Sequence, residues 1–274
     1  IIRSSIYPGT CEKIFSILGK GFKNISYCPE RVVQGKSIEE LPKLPQIVSG
    51  YSTKSIAVSK NLFKLICKKI IVTSVLEAEL VKLFSNAWRY INFSVSNEFL
   101  MICENLNINF SRLRKIMVDG YERNRDIPLA GFAAGPCLFK DTVQLSAFLK
   151  NKFLLGKAAT SINENLPKFL LKKLKEKYKS KLKYKTIGIL GLAFKAEIDD
   201  DRDSLSIKLI KILKKNKIKL IISDEYIKHP EGVKKEKLIK KSDIIIIATP
   251  HKAYKKIKFP KNKEVIDTWG LIEK

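Results

Sequence analysis

Acidic residues and histidine are scarce in this chain, and glycine and proline are missing from its middle. There are 27 Asp and Glu against 53 Lys and Arg, and only two histidines. No glycine lies between Gly50 and Gly120, and no proline between Pro45 and Pro128. Each shortage excludes something. With His229 and His251 as the only imidazoles, and Cys11, Cys28, Cys67, Cys103 and Cys137 forming no CxxC pair, zinc-ligand spacing is absent and no metal ligand is assigned. An odd, widely spaced set of thiols argues against a disulfide framework and fits a reducing, cytoplasmic setting. No apolar run approaches the roughly 20 residues that cross a bilayer, and nothing reads as a signal peptide, so no membrane partner is expected. The chain opens on Ile1 rather than methionine, and preceding residues are expected to be missing.

What is present is ample core material: 45% of the 274 residues are hydrophobic, enough for one large domain or two smaller ones. The formal net charge of +26 raises a nucleic-acid reading. The excess is almost all lysine, scattered singly and in pairs, with no RNP-like aromatic motif, zinc-finger spacing or arginine-rich helix. A small anionic ligand explains a basic site with fewer assumptions, and no nucleic-acid partner is expected.

Residues 1–50 alternate short strands and helices: a strand end at 1–5, a turn at 7–10, a helix at 11–18, and strands at 24–27 and 46–49. This is the βα rhythm of a parallel sheet with too few strands to be complete. A helix is predicted over 52–67, a strand over 69–73, a long helix from Ser74 or Glu77 to about Leu106, and a shorter one over 111–120. The long helix is apolar on several faces, which predicts burial on more than one side, between two domains or two subunits. It also carries a polar stripe of Lys82, Asn86, Tyr90 and Asn97, read either as functional or as a solvated edge. Helices follow at 141–149 and 156–178, with a kink or restart at Pro167; the lysine-rich run 168–185 is the natural linker region, its charges most simply a solvated helix face. From Thr186 a compact parallel α/β unit is predicted, with strands at 186–190, 217–223, 243–248 and 264–267 and a helix at 204–215. Ligands bind such units at the carboxyl ends of the strands. Gly188 and Gly191 only faintly echo a dinucleotide fingerprint.

The stretch Ala133-Ala134-Gly135-Pro136-Cys137-Leu138-Phe139-Lys140-Asp141 places a cysteine just after a glycine and a proline. Gly131, Gly135 and Pro136 forbid a regular helix up to the cysteine, so Cys137 should sit where loop becomes helix. There the positive end of the helix dipole favours thiolate. The plainer alternative is a small buried hydrophobe.

Five ordered stretches resemble the UDP-glucose/GDP-mannose (nucleotide-sugar) 6-dehydrogenase family. They are Ser4-Ser5-Ile6-Tyr7-Pro8-Gly9-Thr10; Cys28-Pro29-Glu30-Arg31-Val32; Glu79-Leu80-Val81-Lys82-Leu83-Phe84-Ser85-Asn86; Gly131-Phe132 running into the cysteine stretch; and Gly191-Leu192-Ala193-Phe194-Lys195 followed by Asp199-Asp200-Asp201-Arg202-Asp203-Ser204. The resemblance implies an α/β fold with a partial Rossmann-like N-terminal segment (1–73), a central all-helical dimerisation domain with one long helix (74–180) and a C-terminal Rossmann-like UDP-binding domain (181–274). It implies NAD as cofactor, a UDP-sugar as substrate and a homodimer formed through the long helix. The GxGxxG of the NAD site and its acidic ribose partner are not in this chain. Gly-Pro-Cys-Leu-x-Lys-Asp and Asn86-Ala87-Trp88-Arg89-Tyr90 lean towards the members acting on UDP-N-acetylhexosamines for surface polysaccharide.

Residue by residue, the resemblance implies that Cys137 traps the intermediate aldehyde as a thiohemiacetal and then a thioester. It implies that Lys82 stabilises the developing oxyanion with help from Asn86, and that Asp141 orders the catalytic water and balances the lysine. Glu30 matches the general base of thioester hydrolysis, with Ser5, usually threonine, near that water; both are placed on the cofactor side. Gln34 stands where glucose-type members have glutamate. Phe194, Lys195 and Gly135 are matched to substrate contact, Asn97 to the vicinity of the sugar, and either Arg123 or Arg125 to an arginine that crosses the dimer. The competing expectation is a catalytically incomplete UDP-sugar-binding and dimerisation remnant of a truncated gene; a strand–GxGxxG–helix upstream of Ile1 would separate the two.

Overall fold

The computed structural model describes residues 1–18, 24–133 and 135–272. The first third of the chain holds α1 (Thr10–Leu18), β1 (Ser26–Tyr27), α2 (Ser37–Glu40), β2 (Gln46–Gly50), α3 (Thr53–Lys64) and β3 (Ile70–Val72). The middle holds α4 (Val75–Asn105), α5 (Phe110–Val118), α6 (Pro136–Phe148) and α7 (Leu154–Tyr178). The last third holds β4 (Thr186–Leu190), α8 (Leu205–Lys215), β5 (Lys219–Ser223), α9 (Lys235–Lys241), β6 (Ile244–Ile247), α10 (Lys252–Lys255) and β7 (Glu264–Asp267). Two compact units result. One comprises Ile1–Trp88 with Lys140–Gly156, the other Arg89–Phe139 with Lys157–Lys274.

In the first unit, β1, β2 and β3 form one sheet in that order. β2 and β3 are parallel, pairing Gln46 with Ile70, as the βα rhythm predicts. β1 departs from that rhythm and runs antiparallel to β2, with Ser26 opposite Gly50. A two-residue strand is too short for its own pattern to reveal its direction. The stretch at 1–5 contributes a single parallel bridge, Ile2 to Tyr27. Cys11, Tyr27, Ile47 and Ala78 form one small core of this unit, and Cys28, Val48, Phe63 and Cys67 another. Ser52 starts α3 through a reciprocal capping box with Ser55. Glu79, buried on α4, accepts the N–H groups of Gly9 (2.7 Å) and Cys11 (2.9 Å), so a carboxylate fills the start of α1.

In the second unit a four-stranded sheet has the order β5-β4-β6-β7, all parallel. The four isoleucines of β6 are fully buried, as expected of a strand covered on both faces. Ser204 caps α8, which turns Leu205, Leu209 and Leu213 inward at helical spacing. The lysine-rich run 168–185 is not a linker. It continues α7 through Pro167 without a restart, and then forms a 3₁₀ turn over Lys179–Tyr184. Leu170, Leu171, Leu174 and Leu182 join the main core while the intervening lysines stay outside.

α4 has one buried polar face and one exposed apolar face in the single chain. The polar stripe faces inward, with Asn86, Tyr90 and Asn97 buried and Lys82 half-buried. On the other face Phe84, Trp88, Val95, Phe99 and Ile102 are exposed in the single chain, which leaves the expected burial between two subunits open. No helix among the described residues is long and apolar enough to cross a membrane.

Candidate active site

In the first unit, the strand-end segment at residues 3–5, α4 and α6 converge on one carboxylate. Asp141, on α6, is fully buried. Its Oδ2 accepts hydrogen bonds from Ser5 Oγ at 3.0 Å and Asn86 Nδ2 at 2.6 Å. Its Oδ1 accepts none among the described residues, and the Lys140 ammonium stands 3.7 Å away. One oxygen is thus committed to orientation and the other keeps its lone pairs. Burying a carboxylate this way is costly unless it is paired or used.

Glu30 lies in the same unit, behind Cys28-Pro29. Its Oε1 accepts the N–H groups of Arg31 (2.8 Å) and Val32 (3.0 Å), and its Oε2 pairs with the Arg3 guanidinium. Burial raises its pKa, but the Val32 N–H and Arg3 outweigh that effect and hold the carboxyl below its usual range. Arg3 is itself fixed by the Phe63 ring, 4.8 Å from its guanidinium carbon, and by Gln46 Oε1 at 3.4 Å. The Lys82 ammonium donates to the Glu30 carbonyl. Ser5, Asn86 and Asp141 therefore form one contact cluster, and Lys82 and Glu30 another.

In the second unit the cysteine loop is shaped by two glycines under two aromatic rings. Gly131 (φ +148°) packs beneath Trp269, where a β-carbon would stand 2.2 Å from Cδ2. Gly135 (φ +104°) packs beneath Phe194. Pro136 opens α6, where a missing N–H costs nothing, and Cys137 follows in the first turn. Its thiol is exposed, whereas Cys11, Cys28, Cys67 and Cys103 are buried; all five are free. Ala134 lies outside the described residues.

Asn97 turns into the interior of the second unit. It is fully buried, its Oδ1 accepts the Gly131 N–H at 2.8 Å and its Nδ2 donates to Asn163 Oδ1 at 2.8 Å. Asn163 in turn donates to the Tyr90 carbonyl at 3.1 Å. This amide pair anchors the loop. Sequence reasoning points to neither Trp269 nor Asn163, and no local signal marks either. Arg123 lies within, and Arg125 directly after, a short 3₁₀ turn over Glu122–Asn124. Arg125 is paired with Glu122 (3.2 Å) and Asp126 (3.6 Å), while Arg123 meets only Tyr121 among the described residues.

The carboxyl edge of the four-stranded sheet is tied by Asp224, at the end of β5. It accepts N–H groups from Leu192, Ala193, Tyr226 and Ile227, and faces Nε2 of the buried His251 at 3.2 Å. Glu197 N–H donates to Nδ1 of His251 at 3.0 Å, so Nε2 carries the proton given to Asp224. Burial raises the Asp224 pKa, but His251 and the backbone N–H groups outweigh it and push the carboxyl far below its usual range. The turn carrying Phe194 and the half-buried Lys195 is held between these ties.

The first unit offers no cradle for a dinucleotide pyrophosphate among its described residues. α3 is filled at its start by its own capping box, and α1 by the Glu79 carboxylate. Neither helix start is open to a pyrophosphate.

Two family models match the chain. The central domain of the UDP-glucose/GDP-mannose dehydrogenase family covers residues 76–165, and the UDP-binding domain of that family covers 188–274. The chain belongs to the UDP-glucose/GDP-mannose dehydrogenase family. Among its relatives, a UDP-N-acetyl-D-mannosamine dehydrogenase of Methanococcus maripaludis is 32% identical over 288 residues, spanning 100% of this chain and 66% of that protein. The protein of the same name from Pyrococcus horikoshii is 30% identical over 290 residues, spanning 100% and 69%. A solved structure of the UDP-D-ManNAc dehydrogenase from Pyrococcus horikoshii superposes with a TM-score of 0.88 at 29% identity, over 100% of this chain and 69% of that one. The chain spans about two thirds of the length of these relatives.

Proposed function

We propose that this chain is the substrate-handling part of a nucleotide-sugar 6-dehydrogenase, which oxidises the C6 alcohol of a UDP-sugar to a carboxylate with NAD as hydride acceptor. A UDP-N-acetylhexosamine is the favoured substrate, in keeping with the names of the relatives. NAD would supply hydride acceptance, and the chain's own side chains supply the nucleophile, the counter-charges and the proton transfers. Its functional segments are 1–73, 74–180 and 181–274, in a cytoplasmic setting.

Cys137 is the nucleophile. Its thiolate adds to the aldehyde carbon, forming a C–S bond while the carbonyl electrons move to oxygen. Lys82 is the cation for that oxyanion. Ser5 and Asn86 hold one oxygen of Asp141 so that the other can orient a water against the thioester that remains once the thiohemiacetal carbon has lost a hydride, for which NAD would be the acceptor. Glu30, kept ionised by Arg3, takes the proton of that water. Phe194, Lys195 and Gly135 line the nucleotide-sugar side. Arg123, which has no carboxylate partner among the described residues, is the arginine offered to a second copy. The observation that carries this reading is Asp141: a buried carboxylate with one oxygen fully committed and one open, a single helical turn after an exposed thiol.

A second reading, a UDP-sugar-binding and dimerisation remnant, is favoured by the filled helix starts of the first unit. One experiment separates the two. UDP-N-acetylhexosamines are titrated while iodoacetamide alkylation of Cys137 is followed by intact mass, and NADH absorbance is recorded in parallel. Protection of Cys137 by UDP-sugar is expected, with no NADH formed by this 274-residue chain alone. Cys137→Ser should bind the sugar nucleotide equally well. Absence of protection by any UDP-sugar overturns the substrate assignment. NADH formation that survives Cys137→Ser overturns the mechanism.

A further inference from the structure

The turn that carries Phe194 and Lys195 ends on a strained residue. Glu197 has a φ of +63°, in the left-handed region that favours glycine. A residue with a side chain costs free energy there and persists only where its surroundings over-determine it. Three ties do so, all within the second unit. The Glu197 N–H donates to Nδ1 of His251 at 3.0 Å. Its carboxylate accepts the Lys252 N–H at 2.9 Å on one oxygen and the Tyr226 hydroxyl at 3.0 Å on the other.

The first of these ties needs one tautomer of one imidazole. Nδ1 must accept, so the proton sits on Nε2, 3.2 Å from Asp224 Oδ2. The same Asp224 oxygen accepts the N–H groups of Leu192 (2.5 Å) and Ala193 (3.3 Å), and the Thr249 hydroxyl donates to the Ala193 carbonyl at 2.7 Å. One Asp–His pair therefore grips the turn at both ends, at 192–193 and at 197. Between the two grips, the Phe194 ring covers Gly135. His251 is fully buried, with the Tyr226 and Tyr254 rings 5.0 and 5.3 Å from its own. A hydrocarbon ring would fill that space as well. What the polar ring adds is a fixed backbone path through 194–197.

We propose that His251, in the tautomer set by Asp224, is a positioning residue for nucleotide recognition: it holds Glu197 in its left-handed conformation and so places Lys195 for a nucleoside diphosphate. The inference rests on the reading of Phe194 and Lys195 as the nucleotide-sugar side of the site. Its probe is UDP, titrated calorimetrically into the 274-residue chain, so neither NAD nor turnover is needed. His251→Phe keeps a ring and removes both hydrogen bonds, and is expected to weaken UDP binding about tenfold. His251→Asn returns an acceptor to the place of Nδ1 and should recover most of that loss. In a Lys195→Met background, His251→Phe should weaken binding by less than about twofold more, because the two residues act through one contact. Should His251→Phe fail to fold, Glu197→Gly suits the local φ, frees the turn of both carboxylate ties and must weaken UDP binding about three- to tenfold. Unchanged affinity in either variant overturns the proposal. An asparagine variant as weak as His251→Phe also overturns it, as does full additivity with Lys195→Met, which marks a general loss of structure. A wild-type chain that does not bind UDP takes the nucleotide reading down as well, whereas wild-type binding indifferent to residue 251 overturns this inference alone.

Discussion

At Gly135 two constraints coincide. Its φ of +104° disfavours every L side chain, and the Phe194 ring already occupies the space of a β-carbon. Gly135→Ala is therefore expected to lower stability by about 1–3 kcal/mol, measured by urea denaturation, and to weaken UDP-sugar binding. Trimming the ring in the double variant Gly135→Ala/Phe194→Leu should recover the steric share alone, because the backbone strain remains. The same scale shows what could be read from residues and what could not. Glycine and proline spacing located the loop-to-helix change at Cys137, because backbone permission is a local property. The partners that shape the loop come from far along the chain: Trp269, Asn97 and Asn163. No local pattern marks a tryptophan that will cover a glycine more than 130 residues earlier.

Among the elements, the parallel sheet of the second unit was legible because its strands are continuous apolar runs, β6 most plainly. β1 was not, since two residues cannot declare a direction. α4 was legible only in part. Its apolar and polar faces are both large, and helical periodicity says which residues share a face but not which face is covered. The polar one is covered, because Asn86 and Asn97 each find buried partners. At the sheet edge, Asp224 ties β4, β5 and β6 through a carboxyl held far below its usual pKa. A group depressed on folding contributes stability fully above its unfolded value, about 3.9, and that contribution fades as pH falls through the folded value. Asp224→Ala is expected to cost about 3–5 kcal/mol at pH 7, and thermal melts should show the gap from wild type shrinking as pH falls below about 4. A gap that stays constant down to the acid limb would count against the carboxylate as its source.

For the whole molecule, α4 carries an exposed apolar row. Phe84, Trp88, Val95, Phe99 and Ile102 recur at intervals of three, four and seven, one continuous face of a 31-residue helix, with Trp88 66% exposed. Contiguous apolar surface of this kind on a folded protein marks an interaction site. The proposed occupant is the same face of a second copy, since a single long helix is self-complementary about a two-fold axis. Trp88→Glu is expected to weaken the dimer at least about tenfold, read by light scattering across a dilution series. A wild-type chain that scatters as a monomer at every concentration refutes the arrangement.

The distribution of sulfur has a further consequence at this scale. Burial, reinforced by Glu79, pushes the Cys11 thiol up to about 12, and burial also raises Cys28 and Cys103. Cys137 alone faces solvent. Peroxide reaching this protein therefore meets first the sulfur on which the proposed chemistry depends, and the sulfenic acid formed there disturbs no core. Under oxidative stress such an enzyme would fall silent while still fully folded, and a thiol reductant could return it to work without refolding.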